Sequence, residues 1–318
     1  MKNIWLAGIM GVIIGDALGM PVQFMEREEL KINPVTSMQG YGTYNMPPGT
    51  WSDDGSMTLA TLVSIREMQG IDGQDIMERF VKWHFEGEYT PEGKAFDQGF
   101  TCMEAICNYK ESRDYLTCGK TGEHANGNGA LMRIMPVCLF AYEKVKNKEW
   151  TIGEAVANVH KAAALTHNHL RSHIACGIYY FMVSNILDMK GSLAECLQAG
   201  VDDAMRYYGT DVSNYQELAH YSRLFQLSEF AKCEEEEIRS SGYVVDTLEA
   251  VVWSLLTTDT FEKALLRAVN LADDADTVGA ITGGLAGLYY GYESIPNEWL
   301  EEIVRREWIE EMCKKKRK

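Results

Sequence analysis

Apolar residues recur every three or four positions through most of this chain, and that spacing predicts α-helices. No stretch alternates apolar and polar residues over the length of a strand between turn residues, so a β-sheet is not expected. The pattern therefore predicts an all-α protein. We expect helices over Ile4–Gly19, Asp54–Gln69, Gln74–Phe85, Asp97–Tyr109, Ala130–Lys146, Gly153–Leu165, Arg171–Met189, Leu193–Tyr208, Tyr215–Glu229, Tyr243–Leu256, Thr260–Leu271, Ala275–Tyr290 and Glu298–Cys313.

Glycine follows a helical spacing in two of these segments, the first and the penultimate. The glycines concerned are Gly8, Gly11, Gly15 and Gly19, and then Gly279, Gly283, Gly284, Gly287 and Gly291. Each glycine inside a helix costs about 1 kcal/mol relative to alanine, so two such rows need a structural reason. We expect the two helices to pack closely near the middle of a bundle.

The length of 318 residues allows two domains, but we predict a single domain over residues 1–318. The reason is that the most distinctive acidic motifs lie near opposite ends of the chain. Nothing in the sequence demands an oligomer, so we expect a monomer. The long loop over residues 33–50 and the glycine-rich loop over residues 119–129 are candidates for function, because long ordered loops in compact domains usually carry it.

The eight cysteines are scattered and form no Cys-x-x-Cys pair, which is typical of free thiols in a reducing, cytoplasmic compartment. The apolar run Ile4–Ile14 lacks the features of a signal peptide and is too short to cross a membrane. We therefore expect a buried first helix and no membrane partner.

The formal net charge of −16 argues against nucleic acid as a partner, because phosphate contacts need a basic surface. The same charge repels small anions. An anionic ligand would therefore need a metal ion or local backbone amides to bind.

A first acidic cluster, Ser52, Asp53 and Asp54, stands just before an apolar helical pattern. A serine or aspartate there is an expected N-cap, and carboxylates suit the positive end of a helix dipole. Capping explains one acid well but does not require two adjacent acids, so a ligand role stays open.

A second cluster, Asp273, Asp274, Asp276 and Thr277, stands between two predicted helices. Three acids in four residues repel one another unless a cation or solvent screens them. Carboxylates with an adjacent hydroxyl suit Mg²⁺, Mn²⁺ or Ca²⁺ better than zinc. If the two helix starts converge, the acids and hydroxyls of both clusters would hold two ions roughly 3.5–4 Å apart.

Six segments, in this order, resemble the motifs of the ADP-ribosylglycohydrolase family, which includes the dinitrogenase-reductase-activating hydrolases. The resemblance covers residues 4 to about 291. The segments are Gly15-Asp16-Ala17-Leu18-Gly19, Ser52-Asp53-Asp54, Phe96-Asp97-Gln98-Gly99, Gly127-Asn128-Gly129-Ala130-Leu131-Met132-Arg133, Thr166-His167 and Asp274-Ala275-Asp276-Thr277.

The resemblance implies a compact orthogonal multi-helix bundle with a dinuclear metal site at helix N-termini. It implies two Mg²⁺, or Mn²⁺ in their place, and removal of ADP-ribose from a modified protein side chain, with arginine preferred. The implied metal ligands are Ser52, Asp53, Asp54, Asp274, Asp276 and Thr277. The implied catalytic residues are Asp97, Asp276 and Gln23, and those that bind substrate are Asn126, Gly127, Asn128, Gly129, Met132, Arg133, Thr166 and His167.

One position departs from the family pattern: many members have glutamate where this chain has Gln23. A glutamine side chain forms hydrogen bonds but does not act as a base. Three alternatives therefore stay open. The chain binds ADP-ribose or metal without turnover; it hydrolyses another conjugate, such as a serine, nucleic-acid or O-acetyl ester linkage; or it is a dinuclear phosphoesterase, although that class favours His and Asn ligands.

Overall fold

The computed structural model describes residues 3–188 and 191–314. Sixteen α-helices were assigned within these ranges, and no strand; the extended pairing there consists of two isolated bridges. The all-α prediction is confirmed. The helices are α1 Ile4–Gly19, α2 Arg27–Ile32, α3 Asp53–Met68, α4 Gly73–Glu86, α5 Phe100–Ser112, α6 Met135–Lys146, α7 Ile152–Ala164, α8 Leu170–Asp188, α9 Leu193–Tyr208, α10 Tyr215–Leu218, α11 Leu227–Phe230, α12 Val244–Leu256, α13 Phe261–Val269, α14 Ala275–Tyr290, α15 Asn297–Glu302 and α16 Arg306–Cys313.

Helices α1 and α14 pack backbone against backbone at the centre of the molecule. A Cβ placed on Gly11 would lie 2.0 Å from the carbonyl oxygen of Gly283, and a Cβ on Gly19 would lie 2.4 Å from that of Ala275. No side chain fits in such a contact, because real Cβ atoms essentially never come within 3.0 Å of another heavy atom. The expected close approach of the two glycine rows is confirmed, and it brings the end of α1 beside the start of α14.

The buried apolar residues form one cluster that includes Trp5 of α1 and Ile309 of α16. All eight cysteines are free thiols, six of them buried. That a single domain spans the whole chain stays a prediction.

Helix α1 and the turn after it form an apolar segment, Ile4–Val22, that by length and composition alone is able to cross a membrane. The expectation that this run is too short was wrong, because it counted only Ile4–Ile14. In the folded protein, 89% of the segment's most apolar window is buried, as expected for the core helix of a globular protein.

Tertiary hydrogen bonds break two of the predicted helices. Tyr215–Glu229 becomes α10, a 3₁₀ segment and α11, and within it the hydroxyl of Tyr221 donates to the carbonyl of Arg171. Glu298–Cys313 divides into α15 and α16, and between them the N–H of Val304 donates to the carbonyl of Gly49. Contacts with residues distant in sequence override helical periodicity at both places.

The remaining differences lie at helix ends. The helix predicted from Asp97 begins at Phe100, and Asp97 itself has φ 51°. The helix predicted from Ala130 begins at Met135, just before Pro136, where proline favours the first turn. Helix α2 was not predicted, and the predicted end at Met189 lies outside the described residues.

Candidate metal centre and active-site cleft

The two predicted acidic clusters meet at the starts of α3 and α14. The hydroxyl of Ser52 lies 3.3 Å from Asp54 Oδ2 and 3.5 Å from Asp276 Oδ2. The hydroxyl of Thr277 donates to the same Asp54 oxygen at 3.3 Å. Residues more than 220 positions apart in the chain thus share one small site.

Asp16, on the last turn of α1, joins this site and was missed as a site residue from the sequence. Its carboxylate accepts the backbone N–H groups of Ser52 at 2.9 Å and of Gly55 at 2.7 Å. Oxygens of Asp16, Asp54 and Asp276 all lie within 4.8 Å of one another. The sequence does mark Asp16 as unusual, since it is the only charged residue between Ile4 and Gly19.

Burial raises the pKa of Asp54 and of Asp276 well above the usual carboxyl range, and the neighbouring carboxylates raise both further. Burial also raises the pKa of Asp53 and Asp274. The pKa of Asp16 rises to about 7, because burial outweighs the opposing hydrogen bonds from Ser52 and Gly55. Such a cluster is costly to keep ionised without a cation.

The donor set fits a hard divalent cation. Asp54 Oδ1 is buried and has no hydrogen-bond partner within the described residues, which leaves a carboxylate oxygen free to act as a ligand. Its neighbours are carboxylates and hydroxyls, the oxygen ligands that Mg²⁺ and Mn²⁺ take. The residues that would hold the ions are Ser52, Asp53, Asp54, Asp274, Asp276 and Thr277, together with Asp16.

Asp97 lies beside the acids on a loop, in a left-handed backbone conformation. The hydroxyl of Tyr44 donates to Asp97 Oδ1 at 2.5 Å, while Asp97 Oδ2 is buried without a partner in the part of the chain that the structure describes. The charge of Asp97 contributes to the raised pKa of Asp53 and of Asp276. Asp97 is therefore close enough to act with the cluster.

Gln23 and Asn128 both hold Asp274. The amide of Gln23 donates to Asp274 Oδ1 at 3.4 Å, and the amide of Asn128 donates to Oδ2. Gln23 is buried, and its own Oε1 has no partner among the described residues. An amide at this position thus orients one carboxylate of the cluster without adding a negative charge.

These residues line a cleft of about 270 Å³. The glycine loop forms part of its wall: a Cβ on Gly129 would lie 2.7 Å from the Cys102 sulfur and 2.9 Å from a ring carbon of His167. Gly129 therefore packs against Cys102 and His167 more closely than a residue with a side chain could. The lining residues are Gln23, Phe24, Asp53, Asp97, Gly99, Phe100, Thr101, Cys102, Gly127, Asn128, Gly129, Met132, His167, Gly242, Asp273, Asp274 and Thr277.

Three residues expected to contact substrate do not line the cleft. The fully buried guanidinium of Arg133 donates to the hydroxyl of Thr166 at 2.8 Å, and that hydroxyl lies 2.9 Å from His167 Nδ1. The carbonyl of Asn126 accepts the N–H of Val244. Arg133, Thr166 and Asn126 therefore support the wall from behind, and of the Thr166-His167 pair only His167 reaches the cleft. Burial lowers the pKa of His167 to about 3, so its ring is neutral.

Comparison with known proteins gives consistent results. The family model for ADP-ribosylglycohydrolase matches residues 3–317. The chain is 32% identical to the ADP-ribosylarginine hydrolase Tri1 of Serratia proteamaculans (strain 568), over 94% of this chain and 74% of that protein. It is 31% identical to the ADP-ribosyl-[dinitrogen reductase] glycohydrolase of Rhodospirillum rubrum, over 94% and 89%. A solved structure described as an ADP-ribosylglycohydrolase-related protein complex superposes with a TM-score of 0.74 at 29% identity, covering 98% of this chain and 95% of that one.

Proposed function

This chain belongs to the ADP-ribosylglycohydrolase family, and we propose on that basis that it hydrolyses the bond between ADP-ribose and an arginine side chain of a modified protein. The observation that carries the proposal is the meeting of Asp16, Asp54 and Asp276 within 4.8 Å in one buried cluster next to a cleft. ADP-ribose is then the product that leaves the cleft.

We propose two Mg²⁺, with Mn²⁺ as the alternative, at the acids and hydroxyls of the two helix starts. The unpartnered Asp54 Oδ1 and the all-oxygen donor set support this assignment. Divalent ions bound by these residues would supply Lewis acidity toward the ribose hydroxyls and would neutralise the charge of the clustered acids.

The protein's own groups carry the rest of the chemistry. Hydrolysis at an anomeric carbon passes through a cationic, oxocarbenium-like state, which nearby carboxylates stabilise. We propose that Asp97, whose Oδ2 has no hydrogen-bond partner among the described residues, takes a proton from the attacking water. Gly127 and Gly129 line the cleft and would offer backbone N–H groups to the pyrophosphate, whereas the N–H of Asn128 donates to the carbonyl of Gly242; the neutral ring of His167 would pack against the nucleotide.

Arginine is the preferred linkage because two similar proteins, at 32% and 29% identity, carry the name ADP-ribosylarginine hydrolase. The net charge of −16 also favours a protein substrate over a nucleic acid. We propose that the partner is an ADP-ribosylated protein. We also propose that the enzyme is a cytoplasmic monomer with no membrane partner.

The test is release of product from a panel of conjugates: arginine-linked, serine-linked and nucleic-acid-linked ADP-ribose, and the O-acetyl ester. We expect free ADP-ribose from the arginine conjugate at the highest kcat/KM. Release of ADP-ribose from another conjugate alone would identify that conjugate as the substrate. Release of phosphate would identify a phosphoesterase instead.

Gln23 favours one second candidate, an ADP-ribose-binding protein without turnover. Its amide holds Asp274 where many family members have a carboxylate. Tight binding of ADP-ribose with no release from any conjugate, and release gained on Gln23→Glu, would support this candidate.

A further inference from the structure

Two phenylalanine rings stand exposed at the edge of the cleft that holds the acids. Phe24 is 62% exposed and Phe100 is 72% exposed, and both line the cleft. Single exposed apolar side chains are ordinary on a protein surface. Two aromatic rings on one cleft are a contact surface for something that comes to that cleft.

Each phenylalanine lies in a loop, or directly after one, that also carries a candidate catalytic residue. Phe24 follows Gln23, has φ 64°, and donates its N–H to the carbonyl of Asp273 at 2.6 Å. Phe100 opens α5, three residues after Asp97. A bulky residue in the left-handed region is uncommon and strained, and such a conformation persists only where the surroundings fix it. The backbone of Phe24 is thus tied to the residue before Asp274 of the acidic cluster.

A second depression continues from the cleft past Phe24. It has a volume of about 420 Å³ and shares Phe24 and Asp273 with the cleft. Exposed side chains of both charges, Glu26 and Arg239, line it as well. An extended polypeptide offers alternating polar and apolar groups that suit such a groove.

Resting on the proposed function, we propose that Phe24 and Phe100 contact the polypeptide of the ADP-ribosylated protein next to its modified side chain. The scissile bond joins the ribose to that side chain. In the proposed function the nucleotide lies at the glycine loop and His167 and the ribose at the acids, so we infer that the modified side chain leaves the cleft past the two exposed rings. Aromatic residues, phenylalanine among them, are enriched where proteins contact one another compared with the rest of the surface. The favoured substrate is a protein with an apolar residue beside the modified arginine.

The test compares kcat/KM on an arginine-ADP-ribosylated protein with kcat/KM on free ADP-ribosylarginine. In the double variant Phe24→Ala/Phe100→Ala we expect a loss of about tenfold or more on the protein. The losses on free ADP-ribosylarginine and in the affinity for ADP-ribose should be clearly smaller than the loss on the protein, because neither ligand carries the polypeptide that the exposed faces of the rings would contact. Phe225→Ala, at another exposed phenylalanine away from the cleft, is the matched control.

Equal losses on both substrates, with weaker ADP-ribose binding, would overturn the inference and show that the rings hold the nucleotide. No loss on either substrate would also overturn it. If the change at Phe24 disturbs the fold, the single variant Phe100→Ala, at an ordinary helical position, still tests the proposal. Phe24→Tyr keeps an aromatic ring and should retain activity on the protein. If the wild-type protein releases no ADP-ribose from either substrate, the proposed function is overturned. The proposed contact of Phe24 and Phe100 with the polypeptide is then overturned as well.

Discussion

Gly15 of α1 and Gly279 of α14 touch through their backbones: a Cβ on Gly15 would lie 2.0 Å from the carbonyl oxygen of Gly279. This contact stands one residue before Asp16 and three residues after Asp276. The spacing of two carboxylates in the site thus depends on two residues that have no side chain.

Gly15→Ala should therefore destabilise the fold and separate the acids. The added methyl group meets backbone atoms, which cannot rotate away, so we expect a loss of about 3 kcal/mol or more in the free energy of unfolding. Gly153→Ala is the control, because a Cβ there meets only Thr151 Oγ1 at 3.9 Å. That change should be neutral or stabilising by up to about 1 kcal/mol. Denaturant unfolding of both variants measures this, and equal stabilities would contradict the packing argument.

Thr166→Val should weaken substrate binding more than turnover. The substitution keeps the shape but removes the hydroxyl that links Arg133 to His167. With His167 no longer oriented, we expect KM to rise about tenfold and kcat to change little. Thr282→Val is the matched control, since its buried hydroxyl has no partner in the described part of the chain. A Thr166→Val enzyme with unchanged KM would show that this chain of hydrogen bonds does not position the wall.

Gln23→Glu should destabilise the metal-free protein. It removes the amide donor to Asp274 and adds a carboxylate to a buried acidic site, and we expect a loss of about 1–3 kcal/mol in EDTA. Mg²⁺ should restore much of that loss. Gln23→Met separates the two effects, because it removes the donor without adding charge. Thermal unfolding with and without Mg²⁺ measures both, and a Glu variant as stable as wild type in EDTA would contradict the prediction.

Stability should depend on pH through His160. Burial lowers its pKa from 6.5 to about 3, and its Nε2 lies 2.7 Å from the hydroxyl of Tyr208. The folded-state pKa is the lower one, so the contribution is fully present above pH 6.5 and is lost as pH falls toward the folded value. The loss is about 1.4 kcal/mol per pH unit.

The variant His160→Gln isolates this contribution from that of the acids. The difference in unfolding free energy between wild type and variant should shrink by about 2 kcal/mol between pH 7 and pH 5. His220→Gln, on an exposed histidine, controls for the loss of an imidazole. A difference for His160→Gln that stays constant over this range would contradict the assignment.

Much of the fold follows from local pattern. Helices over Ile4–Gly19, Leu193–Tyr208 and Ala275–Tyr290 begin and end where the sequence predicts. Helices α9 and α14 have clear stop or start signals, such as the capping box at Ser192 and Glu195. The segment around Tyr221 could not be predicted in this way, because its conformation depends on a hydrogen bond to Arg171, fifty residues earlier.

The candidate site was predictable where its residues are adjacent in the sequence and form a recognisable motif, as Asp53 and Asp54 do. Asp16 was missed because it stands alone in an apolar helix. Its hydrogen bond from the backbone N–H of Ser52 forms only when the start of α3 packs against α1. Arg133 was expected to bind substrate because of the family resemblance. Its guanidinium instead lies buried against Thr166 and over the ring of Phe80, a position that only tertiary packing determines.

The most direct test of the account is release of ADP-ribose from an arginine-ADP-ribosylated protein, measured with Mg²⁺ and with EDTA for wild type, Asp276→Asn and the surface control Asp259→Asn. We predict release that needs Mg²⁺, falls by about a hundredfold or more in Asp276→Asn and is unchanged in Asp259→Asn. Release that persists in EDTA, or in Asp276→Asn at the wild-type rate, would contradict a metal-dependent hydrolase built on the acids of α1, α3 and α14.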